Sequence, residues 1–405
     1  MKLLFVSCLL PYPDVTHGGG VDLFHLIASL ATRHEVSLVS IVSEDEIGHV
    51  AEIAPYCVAV RTVAPAWSLR QKLRQGWRGL RTNPFMLGRR ARAEMRAHIR
   101  QVVAGFVPDV VQFEWTETGT YLDAIPSGEA IRVLDEVDVS YRPLAHLAEQ
   151  RSAWWQVGYA RWRSRRARVS ELALCRRFDA VLTRSEHDRQ VLLAQDPGLY
   201  VAVVQPWTHV AQFAGVTAQE RARGRLLFVG AMDRNENCEA VLYFYHHVFP
   251  LVRRRCPAVE LWIVGANPQQ RVVRLGRDPA VVVTGYVEDL RASYATCDVF
   301  VAPLRVPGGV FNKIVDAMAA GRPVVTTSLG NEGIGAPAGT AVCIADEPAQ
   351  FAAHVEALLQ DEALWTQIAT AGRRHVQRTY DWERNVTRLE GLYDRLRFQR
   401  ERHRG

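Results

Sequence analysis

Short runs rich in Val, Leu and Ile recur along the first half of the chain, at 3–7, 35–42, 58–64, 110–114, 131–137, 180–183 and 201–205. They return in the second half at 225–230, 259–265, 280–287, 299–304, 323–327 and 341–344. Within these runs apolar and polar residues do not alternate, which predicts parallel strands covered on both faces. Helix-length stretches lie between most of them, among them 22–33, 236–254 and 312–320. Strand and helix in alternation predict an α/β fold on parallel sheets. The rhythm stops over 206–224 and then restarts, so this segment reads as a linker between two doubly wound domains. Open parallel sheets take ligands outside the carboxyl ends of their strands. Two such domains facing each other would form an interdomain cleft.

Composition supports a folded two-domain protein. The 405 residues are 48% hydrophobic and 23% charged, which excludes a disordered or collagen-like chain. The net charge of +6 hides two basic segments: 61–105 holds eleven Lys/Arg and one Glu, and 151–177 holds eight Arg and one Glu. The remainder is acidic. Seven cysteines (8, 57, 175, 238, 256, 297, 343) are scattered and never form C-x-x-C. That spacing argues against a disulfide framework or a zinc site, and for a reducing, cytoplasmic setting. No run of roughly 18 apolar residues is long enough for a spanning helix. The opening ten residues read as a first buried strand, because they run into Pro11 and Pro13 without a small-residue cleavage site.

Two segments carry candidate chemistry. The first, residues 11–20, ends in Gly18-Gly19-Gly20, between the first strand and a helix expected to begin at Asp22. Glycines there let the backbone approach a ligand, and a helix N-terminus favours an anion. A flexible turn is the plainer alternative. The second, residues 303–325, places Gly308 and Gly309 after a strand and Lys313 and Asp316 on the following helix. Residues three apart share a helix face. Lys313 could hold a diphosphate as a point charge, and the Asp316 carboxylate could accept hydrogen bonds from ribose hydroxyls. The alternative is a surface ion pair between the two.

At this point the sequence resembles the family 4 glycosyltransferases, also called glycosyl transferases group 1. The resemblance rests on Pro11-Tyr12-Pro13 with Gly18–Gly20, then residues 33–36, 108–111, 133–138 and 178–186. In the second half it rests on 228–230, 262–265, 285–290, 316–319 and 321–325, and near the end on Tyr380-Asp381-Trp382. It implies a GT-B fold of two facing Rossmann-like domains: 1–205 for the acceptor, a 206–224 linker, 225–379 for the nucleotide sugar, and 380–405 as a helix crossing back. Gly308-Gly309, Lys313 and Asp316-Ala317 are similar to a surface-polysaccharide branch of the family, with Asp shortened from the usual Glu.

The resemblance further implies retaining transfer from a nucleotide sugar, with Lys313 meeting the growing charge of the diphosphate. Gly18, Gly19, Gly20 and Gly309 would contribute backbone, Arg234 a second cation, Asp316 a ribose contact, and Tyr286 and Val287 the base contact. The family's Arg and Lys after the first strand of the second domain would align near Ala231 and Glu236 and are missing, with Asn237 next to them. Its first-domain histidine would align at Val137. That leaves Glu114, Glu117 and Asp138 as carboxylates to orient an acceptor, with Lys313, Asp138 and Glu114 as the catalytic set. No Asp-x-Asp motif occurs, so a metal is not required, and no cofactor beyond the co-substrate is expected. A nucleotide-sugar epimerase and a non-catalytic GT-B subunit are the alternatives. Of the histidines near the first loop, His34 is read as structural, and a cleft-facing position for His17 is the lesser of its two readings.

The basic segments remain. In 151–177, Trp155, Tyr159, Trp162, Val169 and Leu172 recur at helical spacing, with Arg161, Arg165 and Arg168 to one side. Trp67, Trp77, Phe85 and Met86 accompany the basic residues of 67–92. Such a helix suits an anionic membrane surface or an anionic acceptor. Packing on the sheet with solvated arginines is the alternative. No nucleic-acid-binding module is recognisable, so nucleic acid is not expected as a partner.

Overall fold

A computed structural model describes residues 1–13, 15, 18–64, 89–126, 128–137, 139, 141–142, 146 and 154–404. The chain forms two compact units. The first combines Met1–Trp207 with Trp382–Gly405, and the second is Thr208–Asp381.

Among the described residues the first unit holds a seven-stranded parallel sheet in the order β3-β2-β1-β4-β5-β6-β7. Its strands are β1 (Lys2–Ser7), β2 (Glu35–Ile41), β3 (Ala59–Val63), β4 (Val110–Glu114), β5 (Ile131–Glu136), β6 (Ala180–Thr183) and β7 (Val201–Val203). Each lies in one of the predicted runs, within one or two residues at either end. Successive β1 side chains enter opposite layers, as a strand's period of two dictates. Leu4 and Val6 pack with Met95 and Ile99 on one face. Leu3 and Phe5 pack on the other face with helix α1 (Gly18–Leu30). The basic segment 151–177 contributes helix α2 (Trp154–Cys175).

The second unit repeats the plan, with six parallel strands ordered β10-β9-β8-β11-β12-β13. These are β8 (Arg225–Val229), β9 (Glu260–Val264), β10 (Val281–Gly285), β11 (Val299–Ala302), β12 (Val324–Thr326) and β13 (Cys343–Ile344). The predicted run 280–287 stops at Gly285, where φ is +73°. The predicted helix 236–254 is divided. Helix α3 (Asn235–Tyr243) leads into a π-helical turn, Phe244–Val248, and then Phe249–Arg255. The wide turn accommodates Pro250, which has no N–H to donate to the preceding turn. Helix α4 (Asn312–Ala319) follows the loop after β11.

The segment 206–224, read from sequence as a linker, is held by the second unit from Thr208 onward. Arg373 donates to the carbonyls of Phe213, Ala214 and Val216 at 2.8, 2.9 and 3.0 Å. Arg322 donates to the Thr217 carbonyl. Helix α5 (Trp382–Arg404) packs in the first unit through Val386, Leu389, Leu392, Tyr393 and Leu396. Their spacing lays an apolar stripe along one helix face.

Candidate functional site

In a doubly wound sheet, ligands bind at the carboxyl ends of strands where the strand order reverses. In the second unit that point lies between β8 and β11, and the residues singled out from sequence gather there. Lys313, in the first turn of α4, donates its ammonium hydrogen to Asn237 Oδ1 at 2.5 Å and sits 4.7 Å above the Phe228 ring. Asn237 is fixed in turn by donating to the Ala231 carbonyl at 2.8 Å. Lys313 does not pair with Asp316; its bond crosses to the neighbouring loop. Glycines make this closeness possible. A Cβ on Gly230 would fall 2.8 Å from Lys313 Nζ, and one on Gly265 would fall 1.8 Å from the Gly230 carbonyl. Below the 308–311 loop, a Cβ on Gly333 would lie 2.3 Å from the Gly309 carbonyl.

Burial pushes the Lys313 pKa down to about 7, against the opposing pull of Glu236 and with a further push from Arg234. Both charges lie just ahead of Asn237 in the chain, so Arg234 belongs to the same cluster as Lys313. Burial also raises the Asp316 carboxyl to about 8, which leaves it protonated at neutral pH. It is therefore a hydrogen-bond donor there as well as an acceptor, unlike the carboxylate expected from sequence. Tyr286 is 75% exposed beyond the end of β10, and Val287 packs on the second unit's core.

In the first unit the reversal lies between β1 and β4. Gly18, Gly19 and Gly20 are not a loop ahead of a helix; they form the first turn of α1. Gly20 is packed so closely that a Cβ would come within 2.8 Å of Val15. At the end of β4, Trp115 adopts φ +66°. A bulky residue in the left-handed region is strained, and such strain gathers at functional sites. It starts the short helix Trp115–Gly119, in which Glu117 is partly buried with its pKa raised by burial. The Cys8 thiol, just past β1, feels the charge of Glu117.

Glu114 is placed differently from its expected catalytic role. It is 1% exposed, accepts from Gln112 Nε2 at 2.7 Å and lies 3.8 Å from the buried Arg184. Arg184 also contacts Asp22 and Asp135, each at 2.8 Å. Burial, reinforced by Asp135 and opposed by Arg184, holds Glu114 well above the usual carboxylate range. Asp135 is pushed up to about 6 by burial, against Arg184. Tyr393 of α5 donates to Gln112 Oε1, and the Trp207 amide donates to Asp22 Oδ1. Glu114 is thus part of the unit's internal framework and is closed off from an acceptor. Asp138 and His17 lie outside the described residues. His34 pairs with Glu390 of α5 at 2.8 Å, and His25 stacks on Trp207.

Sequence reasoning did not single out Arg184, Asp22 and Asp135 as a cluster. Asn237 was only a neighbour of the missing pair; its place shortly after Gly230, where β8 ends, was the available signal. Helix α2 splits the predicted stripe. Trp155, Tyr159, Trp162 and Val169 are exposed, whereas Leu172 is buried. Arg161 and Arg165 are exposed and Arg168 is half-buried, near Tyr141. Leu172 leaves the stripe because seventeen residues of helix rotate it about 100° away from Trp155.

Comparison with known proteins agrees with this architecture. Residues 223–361 match the family described as glycosyl transferases group 1. The chain is 25% identical to a glycogen synthase of Mycobacterium tuberculosis over 430 residues, covering 97% of this chain and 94% of the relative. It is 22% identical to an uncharacterized 44.6 kDa protein in the cps region of Klebsiella pneumoniae over 398 residues, covering 94% and 96%. Among solved structures, sucrose-phosphate synthase from Thermosynechococcus elongatus superposes with a TM-score of 0.72 at 16% identity, covering 98% and 99%. Anabaena HepE in complex with UDP gives 0.65 at 15% identity, covering 97% and 100%. Its two doubly wound units have the GT-B fold, and the match to the glycosyl transferases group 1 lies in the second unit, where it includes the Lys313 loop.

Proposed function

We propose that this enzyme transfers a hexosyl group, with retention and without a metal, from a uridine-diphosphate sugar to a lipid-linked or surface-glycan acceptor. The observation that carries the reading is Lys313: a half-buried ammonium at the β8/β11 switch point, bonded to Asn237 and cleared on one side by Gly230. HepE structures with UDP and with UDP-glucose support the uridine donor. As the bond from the sugar's anomeric carbon to the diphosphate breaks, negative charge grows on the departing phosphate oxygen. A cation already in position lowers that barrier without reorganising. Lys313 and Arg234 would supply the cations. The acceptor oxygen bonds the anomeric carbon, and its proton passes to the departing phosphate oxygen. No protein base is then needed, consistent with Val137 in the histidine position. Asp316, protonated at neutral pH, would hydrogen-bond the ribose, and backbone near Tyr286 and Val287 the base.

On the acceptor side, Glu117 replaces Glu114 as the orienting carboxyl, because Glu114 is enclosed by Arg184 and Gln112. Glu117→Gln is expected to lower transfer on the order of 10²-fold with UDP affinity unchanged. Steady-state kinetics beside calorimetric UDP titration checks this; an equal loss in both would remove Glu117 from the acceptor side. The overall reading is tested by incubating purified protein with UDP-hexoses and lipid-linked acceptors, and assigning the product's anomeric configuration by NMR. Isomerised sugar nucleotide formed without acceptor would favour an epimerase. Absence of binding to every donor would favour a non-catalytic subunit.

A further inference from the structure

We propose that helix α2 docks the enzyme onto an anionic lipid bilayer. The inference stands on surface chemistry alone and is independent of the donor reading. Trp155, Tyr159, Trp162 and Val169 follow one another at spacings of four, three and seven, so they lie on a single line along the helix. Trp155 is 59% exposed, Trp162 48% and Val169 60%. The opposite face is the anchored one. There Ser164 donates to the Tyr141 carbonyl at 3.2 Å, and Cys175 is buried in the core and donates to Glu136. The aromatic line therefore points directly away from the unit that holds the helix.

Charge is sorted with the same geometry. Arg161 and Arg165 are exposed on one flank of the line, Arg163 lies on the other, and Arg166 stands within it. The Arg163 and Arg166 guanidiniums sit 5.9 Å over Tyr159 and 5.5 Å over Trp162. The one acid of the helix, Glu171, is buried on the far face. An exposed face with tryptophans at its centre, arginines along its edges and no anion matches the headgroup layer of an acidic bilayer, where aromatic rings enter the interface and guanidiniums meet phosphates. A nucleic acid would need an open ring to stack on. Here Trp162 is covered by Arg166 and stacked with Tyr159 at 6.0 Å, which leaves Trp155 rather than a run of open rings for successive bases. An aliphatic Val169 on the same line also suits lipid better than a base.

The test is flotation of the full chain with phosphatidylcholine vesicles containing about 30% phosphatidylglycerol, beside pure phosphatidylcholine vesicles. The native protein is expected to float with the acidic vesicles and to remain below with the neutral ones. Trp155→Ser/Trp162→Ser and, separately, Arg161→Glu/Arg165→Glu are each expected to lower the bound fraction at least about tenfold. Tyr200→Ser, at an exposed aromatic position elsewhere on the first unit, is expected to float as the native protein does. All the changed side chains are exposed, and matching thermal melts verify that each variant is folded. Failure of the native protein to float, or flotation unchanged in both double variants, overturns the proposal. So does binding to a single-stranded oligonucleotide that displaces the vesicles and survives loss of both tryptophans.

Discussion

Lys313→Ala is expected to lower glycosyl transfer on the order of 10²–10³-fold, the usual effect of removing one preorganised donor from a developing anion. The fold should survive, because the ammonium's hydrogen bond is to Asn237 at the rim of the β8/β11 switch point and α4 is held by Ile314, Val315 and Met318 in the core. The pH dependence supplies a second signature. With its pKa lowered to about 7 by burial, Lys313 is half-protonated near neutrality in the free enzyme. A bound diphosphate favours the ammonium and raises that pKa, so donor binding takes up a proton. UDP affinity is therefore highest below pH 7 and weakens by up to about tenfold per pH unit above it, until the pKa of the complex is reached. Calorimetry in buffers of different ionisation heat at pH 8 should show the uptake directly, and Lys313→Ala should abolish both the uptake and the slope. A flat profile in the native enzyme would remove Lys313 from the diphosphate site.

Arg184→Met is expected to destabilise the first unit by about 3–5 kcal/mol, since it strips the cation from a buried group holding Asp22, Glu114 and Asp135. Part of the deficit should be recoverable with acid. Glu114 and Asp135 have pKa values raised in the folded state, so the folded protein binds more protons than the unfolded chain over the window from about pH 4 to beyond 6. Stability from these groups is fully present below their unfolded pKa values and is lost as pH rises through the folded ones. Without Arg184 both folded values rise further, and the variant's melting deficit should be smaller at pH 5 than at pH 8. A deficit independent of pH would mean that the carboxyls are not the source of the loss.

The apolar runs made the strands legible because parallel strands buried on both faces leave no polar alternation to obscure their ends. Val110–Glu114 and Ala180–Thr183 coincide with their predicted runs to the residue. Gly18–Gly20 were misplaced as loop because glycine disfavours helix interiors. Here tertiary packing overrides that preference, with Val15 lying against Gly20. Lys313 and Arg234 were legible through strand-end position and family resemblance. The fate of Glu114 was not, because its partner Arg184 is seventy residues distant and only strand order brings β6 near β4. The same long-range dependence hid the Lys313–Asn237 bond, which spans seventy-six residues.

The return of α5 to the first unit sets an order of assembly. The second unit is one uninterrupted stretch of chain, whereas the first lacks Leu389, Leu392 and Tyr393 from its core until residues 382–405 arrive. During synthesis the second unit can close as soon as its own sequence has emerged. The first, although begun earlier, waits for residues 382–405, with Gln112 unmet by the Tyr393 hydroxyl until then. Helix α5 thus closes the first unit, and a chain stopped short of it carries an unfinished first unit however well the second has folded.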